Sequence, residues 1–150
     1  ERLARDGKNV IEFPAMLKGK GGYDFSYSGL KTAVINYVHN CEQRGIEYNK
    51  ADVACSFQHA AVDVLIKKSI AAARAKKLKT IAAGGGVVAN GYLRETLESA
   101  CKKAGIKAVV PPKSFCTDNA AMIAAEGYIR YKRGDFAPLS LNASARVDLG

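Results

Sequence analysis

Apolar positions change their spacing along the chain, and each change predicts an element. Over 28–43, Leu30, Val34 and Val38 recur at helical intervals on one stripe, which predicts an amphipathic helix. Over 50–77, Val53, Phe57, Ala60, Ala61, Val64 and Leu65 recur at spacings of three and four. This is the strongest periodic signal in the sequence and predicts a longer helix with one apolar face. Lys79-Thr80-Ile81-Ala82-Ala83 then reads as a short buried strand closed by Gly84-Gly85-Gly86, with a helix expected over 91–104. A second strand over 106–110 is stopped by Pro111-Pro112, and a last helix starts near Thr117-Asp118-Asn119 and runs to about 132.

This order predicts an α/β chain: 1–78 mainly helical, 79–132 strand-helix-strand-helix with parallel strands, and a tail over 133–150. Glu1-Arg2-Leu3-Ala4-Arg5-Asp6-Gly7-Lys8 reads as the end of a helix with a glycine stop, so the chain is expected to begin inside a longer polypeptide. A polar, glycine-rich stretch, Lys18-Gly19-Lys20-Gly21-Gly22, precedes the first helix.

With 150 residues, 48% of them hydrophobic, the chain is long enough to bury one core. No apolar run approaches the roughly 20 residues of a membrane span and no signal-peptide pattern opens the sequence, so a soluble, cytoplasmic protein is expected, with no membrane partner. The scattered Cys41, Cys55, Cys101 and Cys116 form no Cys-x-x-Cys pair and read as reduced thiols. A formal net charge of +9 favours polyanionic partners. Lys67, Lys68, Arg74, Lys76, Lys77 and Lys79 form one basic cluster and Lys102, Lys103, Lys107 and Lys113 a second. Either contacts nucleic acid or is a solvated face.

Gly84-Gly85-Gly86-Val87-Val88-Ala89-Asn90 joins a strand to a helix. Glycines there let backbone N–H groups approach a phosphate, and the helix amino end adds partial positive charge. The spacing fits neither a Walker loop nor a dinucleotide fingerprint. On spacing alone, a tight turn with Asn90 as helix cap is the simpler reading. Asp118 has the same ambiguity, as a metal or cation ligand or as a cap of the last helix. Because Gly85, Gly86, Asn90 and Asp118 end equivalent strand-helix units, they are expected to face one cleft. His39 and His59 have no histidine partner at helical spacing, and His59 reads as a packing residue.

Three stretches together resemble one family: Asp24-Phe25-Ser26-Tyr27-Ser28-Gly29-Leu30-Lys31-Thr32, Gly85-Gly86-Val87-Val88-Ala89-Asn90 with Leu93-Arg94, and Cys116-Thr117-Asp118-Asn119-Ala120-Ala121-Met122-Ile123-Ala124. They resemble the TsaD family, also called YgjD and formerly labelled O-sialoglycoprotein endopeptidase or glycoprotease, over about 1–141. The resemblance implies the carboxy-terminal part of such a protein, in the second lobe of an actin-like, sugar-kinase-like and Hsp70-like (ribonuclease H-like) ATPase fold. It implies transfer of a threonylcarbamoyl group from threonylcarbamoyl-adenylate to the adenosine beside the anticodon of tRNA.

Residue by residue, the resemblance makes Asn90 an adenylate-binding position, Gly85 and Gly86 the turn that lines it, and Asp118 a metal ligand. Gly84 replaces an alanine usual in the family. The implied cofactor is a divalent metal, iron or zinc, acting as a Lewis acid, and its other ligands, a His-x-x-x-His pair, are not in this chain. No catalytic residue is assigned, and the chain alone is expected to be inactive. Implied partners are tRNA, a TsaB-type paralogue and a TsaE-type ATPase in bacteria, or KEOPS subunits in archaea and eukaryotes. Competing readings are a non-catalytic assembly module of the same complex and the metalloprotease of the old label.

Overall fold

The computed structural model describes residues 1–14, 22–24 and 26–143. Most of the polar opening at 18–22, Phe25 of the first motif and positions 144–150 of the tail lie outside the described residues. The elements are helices α1 (Ser28–Arg44), α2 (Lys50–Ala75), α3 (Gly91–Ala104) and α4 (Ala120–Arg133), with strands β1 (Thr80–Ala82) and β2 (Lys107–Val109). Single turns of tighter helix occupy Leu3–Asp6, Gly86–Ala89 and Lys113–Phe115. The chain is thus mixed α/β, and the strands pair parallel with Thr80 opposite Lys107 and Ala82 opposite Val109.

Helix α2 organises the fold. Asn49 caps it, its side chain accepting the Ala51 amide at 2.8 Å. One side packs with α1 and Phe13, where Leu30 and Val53 are buried and Ala60, Ala61 and Val64 are partly covered. Another side places Val62, Ile66 and Ala73 in a core with Leu93, Leu97 and Cys101 of α3 and with Ile106. The predicted single stripe is therefore incomplete: Phe57 is 41% exposed, whereas Val62 and Ile66 are 5% and 7% exposed. A helix clamped between two partners spreads its apolar positions over two faces, and a one-stripe pattern selects only one of them. The helix also stops before position 77, because Lys77 takes a left-handed conformation at φ +55°.

The amino-terminal segment lies against α2. Gly7 is no left-handed stop, since its φ is −104° and ψ 169°. A Cβ on Gly7 would lie 2.0 Å from the Ala51 carbonyl oxygen, so glycine is required here by close approach rather than by a turn. Beyond it, the Lys8 amide donates to Asp52 Oδ1 at 2.7 Å, and Ser56 Oγ accepts the amides of Val10 and Ile11 at 3.2 and 3.1 Å. These bonds let Ser56 sit buried at little cost.

All four cysteines are buried and unpaired. No helix among the described residues is long and apolar enough to cross a membrane.

Candidate functional site

The glycine turn begins where the parallel ladder ends. The Ala83 amide donates to the Val109 carbonyl at 3.0 Å, after which Gly85 turns the chain at φ +91° and ψ 167°. A side chain there is strained, so this glycine is needed for its conformation. The single helical turn Gly86–Ala89 buries Val88 in the core below. Asn90 then caps α3: its Oδ1 accepts the Leu93 amide at 3.0 Å, and its Nδ2 donates to Gln58 Oε1 of α2 at 3.0 Å. Two contacts from different elements hold the amide in one orientation.

The second segment leaves β2 through Pro111 and Pro112 and reaches Asp118 by way of buried Cys116. It lies against the first: a Cβ on Gly86 would be 3.9 Å from Thr117 Cγ2. Both segments follow the carboxyl ends of the paired strands, where parallel sheets usually place their ligands. The cap of α4 is Asn119, whose Oδ1 accepts the Met122 amide at 3.0 Å and whose Nδ2 donates to the Thr117 carbonyl at 2.9 Å. Asp118 is exposed and takes no part in this cap. The capping alternative read for Asp118 thus belongs to its neighbour.

Among the described residues, no group of three or more His, Cys, Asp or Glu is placed to hold a metal ion. A stable divalent site of the implied kind takes three or four protein ligands. Asp118 with its described neighbours does not fit that requirement.

Other residues reach the amino end of α3 from far away in sequence. Glu1 Oε1 accepts the Gly91 amide at 3.2 Å and the Arg5 guanidinium at 2.7 Å. The Arg5 hydrogen bond, then that of Gly91, holds this carboxyl below its ordinary range. A cavity of about 400 Å³ adjoins it, lined by Glu1, Arg5, His59, Gly91, Tyr92 and Glu95 among others. Inside it His59 Nδ1 and the Tyr92 hydroxyl are 2.7 Å apart and the two rings 4.4 Å. Burial pushes the Tyr92 hydroxyl above its ordinary pKa. Glu1 and Gln58 carry no motif that marks them; only the fold brings them to Gly91 and Asn90.

One member of each basic cluster, Lys79 and Lys107, stands at the opposite end of the sheet. The Lys107 amide donates to the Lys79 carbonyl at 2.8 Å, so the chain leaving α2 and the chain leaving α3 converge at the amino ends of the strands. Lys113 separates from them, its Nζ 3.9 Å from where a Gly91 Cβ would stand. Within the first cluster, Lys67 pairs with Asp63 at 3.9 Å and Lys68 donates to the Asp24 carbonyl.

With this geometry in hand, comparison with known proteins is specific. The family model described as TsaD, tRNA N6-adenosine threonylcarbamoyltransferase, matches residues 1–125. A curated protein of that name from Moorella thermoacetica is 51% identical over 144 residues, covering 95% of this chain and 42% of the relative. Its namesake from Bacillus thuringiensis strain Al Hakam is 49% identical over 150 residues, covering 99% of this chain and 44% of the relative. One from Clostridium botulinum strain Kyoto is 45% identical, covering all of this chain and 44% of the relative. The chain therefore spans less than half the length of the curated relatives it matches. Over nearly all of its own length, it belongs to the TsaD family, and the glycine turn and the Asp118 loop both lie inside the matched region.

Proposed function

We propose that the chain forms part of a tRNA threonylcarbamoyl transferase, within the second lobe of an actin-like ATPase fold, and that it contacts threonylcarbamoyl-adenylate at the glycine turn. The observation that carries this reading is the closeness of Gly86 to Thr117, 3.9 Å from where a Gly86 Cβ would stand to Thr117 Cγ2, which sets the turn beside the Asp118 loop at one end of the parallel strands. At Gly85 and Gly86 a phosphate approaches the backbone closely, and the amino end of α3 adds partial positive charge. Asn90 uses one N–H on Gln58 and one lone pair on Leu93, which leaves a second N–H to donate to the adenylate. Asp118 offers one carboxylate toward a divalent ion, iron or zinc, whose remaining ligands come from elsewhere in the full-length enzyme.

In this reading the substrate is tRNA and the setting cytoplasmic, with TsaB-type and TsaE-type proteins or KEOPS subunits as partners. Lys79 and Lys107 stand at the amino ends of β1 and β2, the far end of the strands from the glycine turn, so they suit the tRNA backbone at a distance from the reacting adenosine. A second role, assembly, is favoured by α4, none of whose residues is buried.

The full-length protein containing this sequence is incubated with threonylcarbamoyl-adenylate and tRNA, and the modified adenosine is measured by mass spectrometry. Transfer is expected, falling at least about tenfold in Asn90→Ala, the loss of one hydrogen bond to a phosphorylated ligand. Absence of transfer by the wild type, or unchanged transfer by the variant, defeats the reading. The chain by itself is expected to bind the adenylate at about millimolar Kd or weaker in calorimetry, and a micromolar value contradicts the division of the site.

A further inference from the structure

Arg94 connects the two segments of the candidate site. It lies in the first turns of α3, half-buried, with its backbone amide on the Asn90 carbonyl at 3.2 Å. Its Nη1 donates to the Val88 carbonyl of the glycine turn at 3.2 Å and approaches Cys116 Sγ at 3.6 Å. Its Nη2 donates to the Pro111 carbonyl at 2.7 Å. One guanidinium thus reaches the turn that carries Gly85 and Gly86 and both ends of the loop that leads to Asp118. None of the three acceptors is a carboxylate, two being carbonyls and one a cysteine sulfur, so the group spans segments rather than pairing with an acid.

The composition of the loop explains why an arginine is needed. Pro111 and Pro112 have no N–H, so this stretch presents only acceptors to its neighbours. Within the loop the Pro112 carbonyl accepts the Phe115 amide at 2.9 Å, which leaves the Pro111 carbonyl in need of a strong donor from outside. The Cys116 thiol supplies weak ones, at 3.8 Å to the Pro111 carbonyl and 3.5 Å to that of Pro112. For the Pro111 carbonyl, Arg94 supplies the strong one, at 2.7 Å. A planar guanidinium presents donors in a fixed fork, whereas a lysine is a single point that serves one of two separated acceptors at a time. The fork therefore fixes the distance between the turn and the loop as well as satisfying each.

We propose that Arg94 is a positioning residue, whose guanidinium holds the glycine turn and the Asp118 loop at the separation the transfer reaction requires. This rests on the functional reading above and adds to it a residue that touches neither phosphate nor metal. A shift of about 1 Å in reacting groups costs on the order of a hundredfold in rate.

The test compares Arg94→Lys and Arg94→Met in the full-length protein. Both are expected to lower kcat about a hundredfold. The KM for tRNA is expected to stay within about twofold, because Lys79 and Lys107, which suit tRNA, lie at the other end of the sheet. Thermal unfolding identifies variants that fail to fold, and kcat is taken per folded molecule. Wild-type kcat in folded Arg94→Met overturns the proposal, and so does full recovery in Arg94→Lys, which makes charge rather than the fork sufficient. Alkylation of Cys116 in the full-length protein supplies a second readout that does not depend on catalysis. The thiol is 3% exposed in the folded chain, and both variants are expected to raise its alkylation rate at least tenfold. If the wild type shows no transfer, the functional reading fails, and the bridge is judged on the thiol: a rate in Arg94→Lys equal to wild type overturns it.

Discussion

Helices α3 and α4 each run for 14 residues, begin on an asparagine whose side-chain oxygen accepts the amide three residues on, and end on a left-handed glycine, Gly105 at φ +67° and Gly134 at φ +69°. Yet α3 buries Leu93, Leu97 and Cys101, while α4 buries nothing. Caps and termination signals are local and form a helix wherever they occur. Burial needs a partner, and α3 has one on each side, α2 and the sheet. Helix α4 opens with Ala120-Ala121-Met122-Ile123-Ala124-Ala125, apolar around its whole circumference, a pattern that ordinarily belongs to an enclosed helix. In this chain Ile123 is 67% exposed. The relatives are more than twice as long, so the enclosure that α4 is suited to is sought in the rest of the family's polypeptide.

The sharpest way to break this contrast is to truncate one aliphatic side chain in each helix. Leu97→Ala removes a side chain 3% exposed at the centre of the larger core, and is expected to cost about 2–5 kcal/mol in urea unfolding followed by circular dichroism. Ile123→Ala is expected to change the same measurement by no more than about 0.5 kcal/mol. Equal losses at the two sites would place α4 inside the cooperative unit and end the comparison.

The caps sharpen it further. Asn90→Ala removes the bond to the Leu93 amide and leaves Gln58 without its partner, so a global loss of about 1–2 kcal/mol is expected. Asn119→Ala removes an equivalent cap from a helix that short isolated segments scarcely sustain in water. There the unfolding midpoint should stay fixed while amide exchange quickens through α4 alone.

Much of this organisation was legible because it is local. Asn90 as a cap and the extents of α1 and α3 follow from residue types within a few positions of one another, and the parallel strand pair from the strand-helix-strand order. Helix α2 was half-legible: Val53, Ala60 and Val64 stand on the predicted stripe, but Val62 and Ile66 serve a second partner that no single period reveals. At the candidate site, Gly85 and Asp118 were visible as punctuation, whereas Gln58 and Glu1 were not. Their contacts join residues 32 and 90 positions apart, and a hydrogen bond across such distances leaves no periodic trace. Gly7 does end the helical turn Leu3–Asp6 as read, but the reason for glycine there, its close approach to Ala51, lies 44 positions away in sequence.

The entrance to α3 also separates two adjacent glycines. Gly85→Ala places a side chain at φ +91° and is expected to cost about 1–2 kcal/mol through backbone strain. Gly84→Ala adds a Cβ that meets nothing within 4 Å. It should leave stability unchanged or slightly raised, because alanine narrows the unfolded ensemble. Thermal melts of the two variants, run side by side, check this; equal destabilisation contradicts a conformational requirement confined to Gly85.

The smallest expected effect concerns charge at the two helix starts. The amino end of α3 holds the Glu1 carboxylate on the Gly91 amide, whereas Asp118, just ahead of α4, stays outside the cap. Hydrogen bonds from Arg5 and then Gly91 lower the Glu1 pKa in the folded chain. A carboxyl whose folded pKa is depressed contributes stability that is fully present above its unfolded value and is lost as pH falls through the folded one. Acidification should therefore loosen the tie between the first residues and α3 while leaving the entrance to α4 unaffected by this group. The Gly91 amide resonance reports it, and its shift should titrate with a midpoint below the ordinary glutamate range. Glu1→Gln should abolish that titration, because the amide oxygen still accepts from Gly91 but carries no proton to exchange in this range. A midpoint at the ordinary glutamate value, or the same titration surviving in Glu1→Gln, would mean that the carboxylate does not sit on α3 in solution, and the two helix starts would then be electrostatically alike.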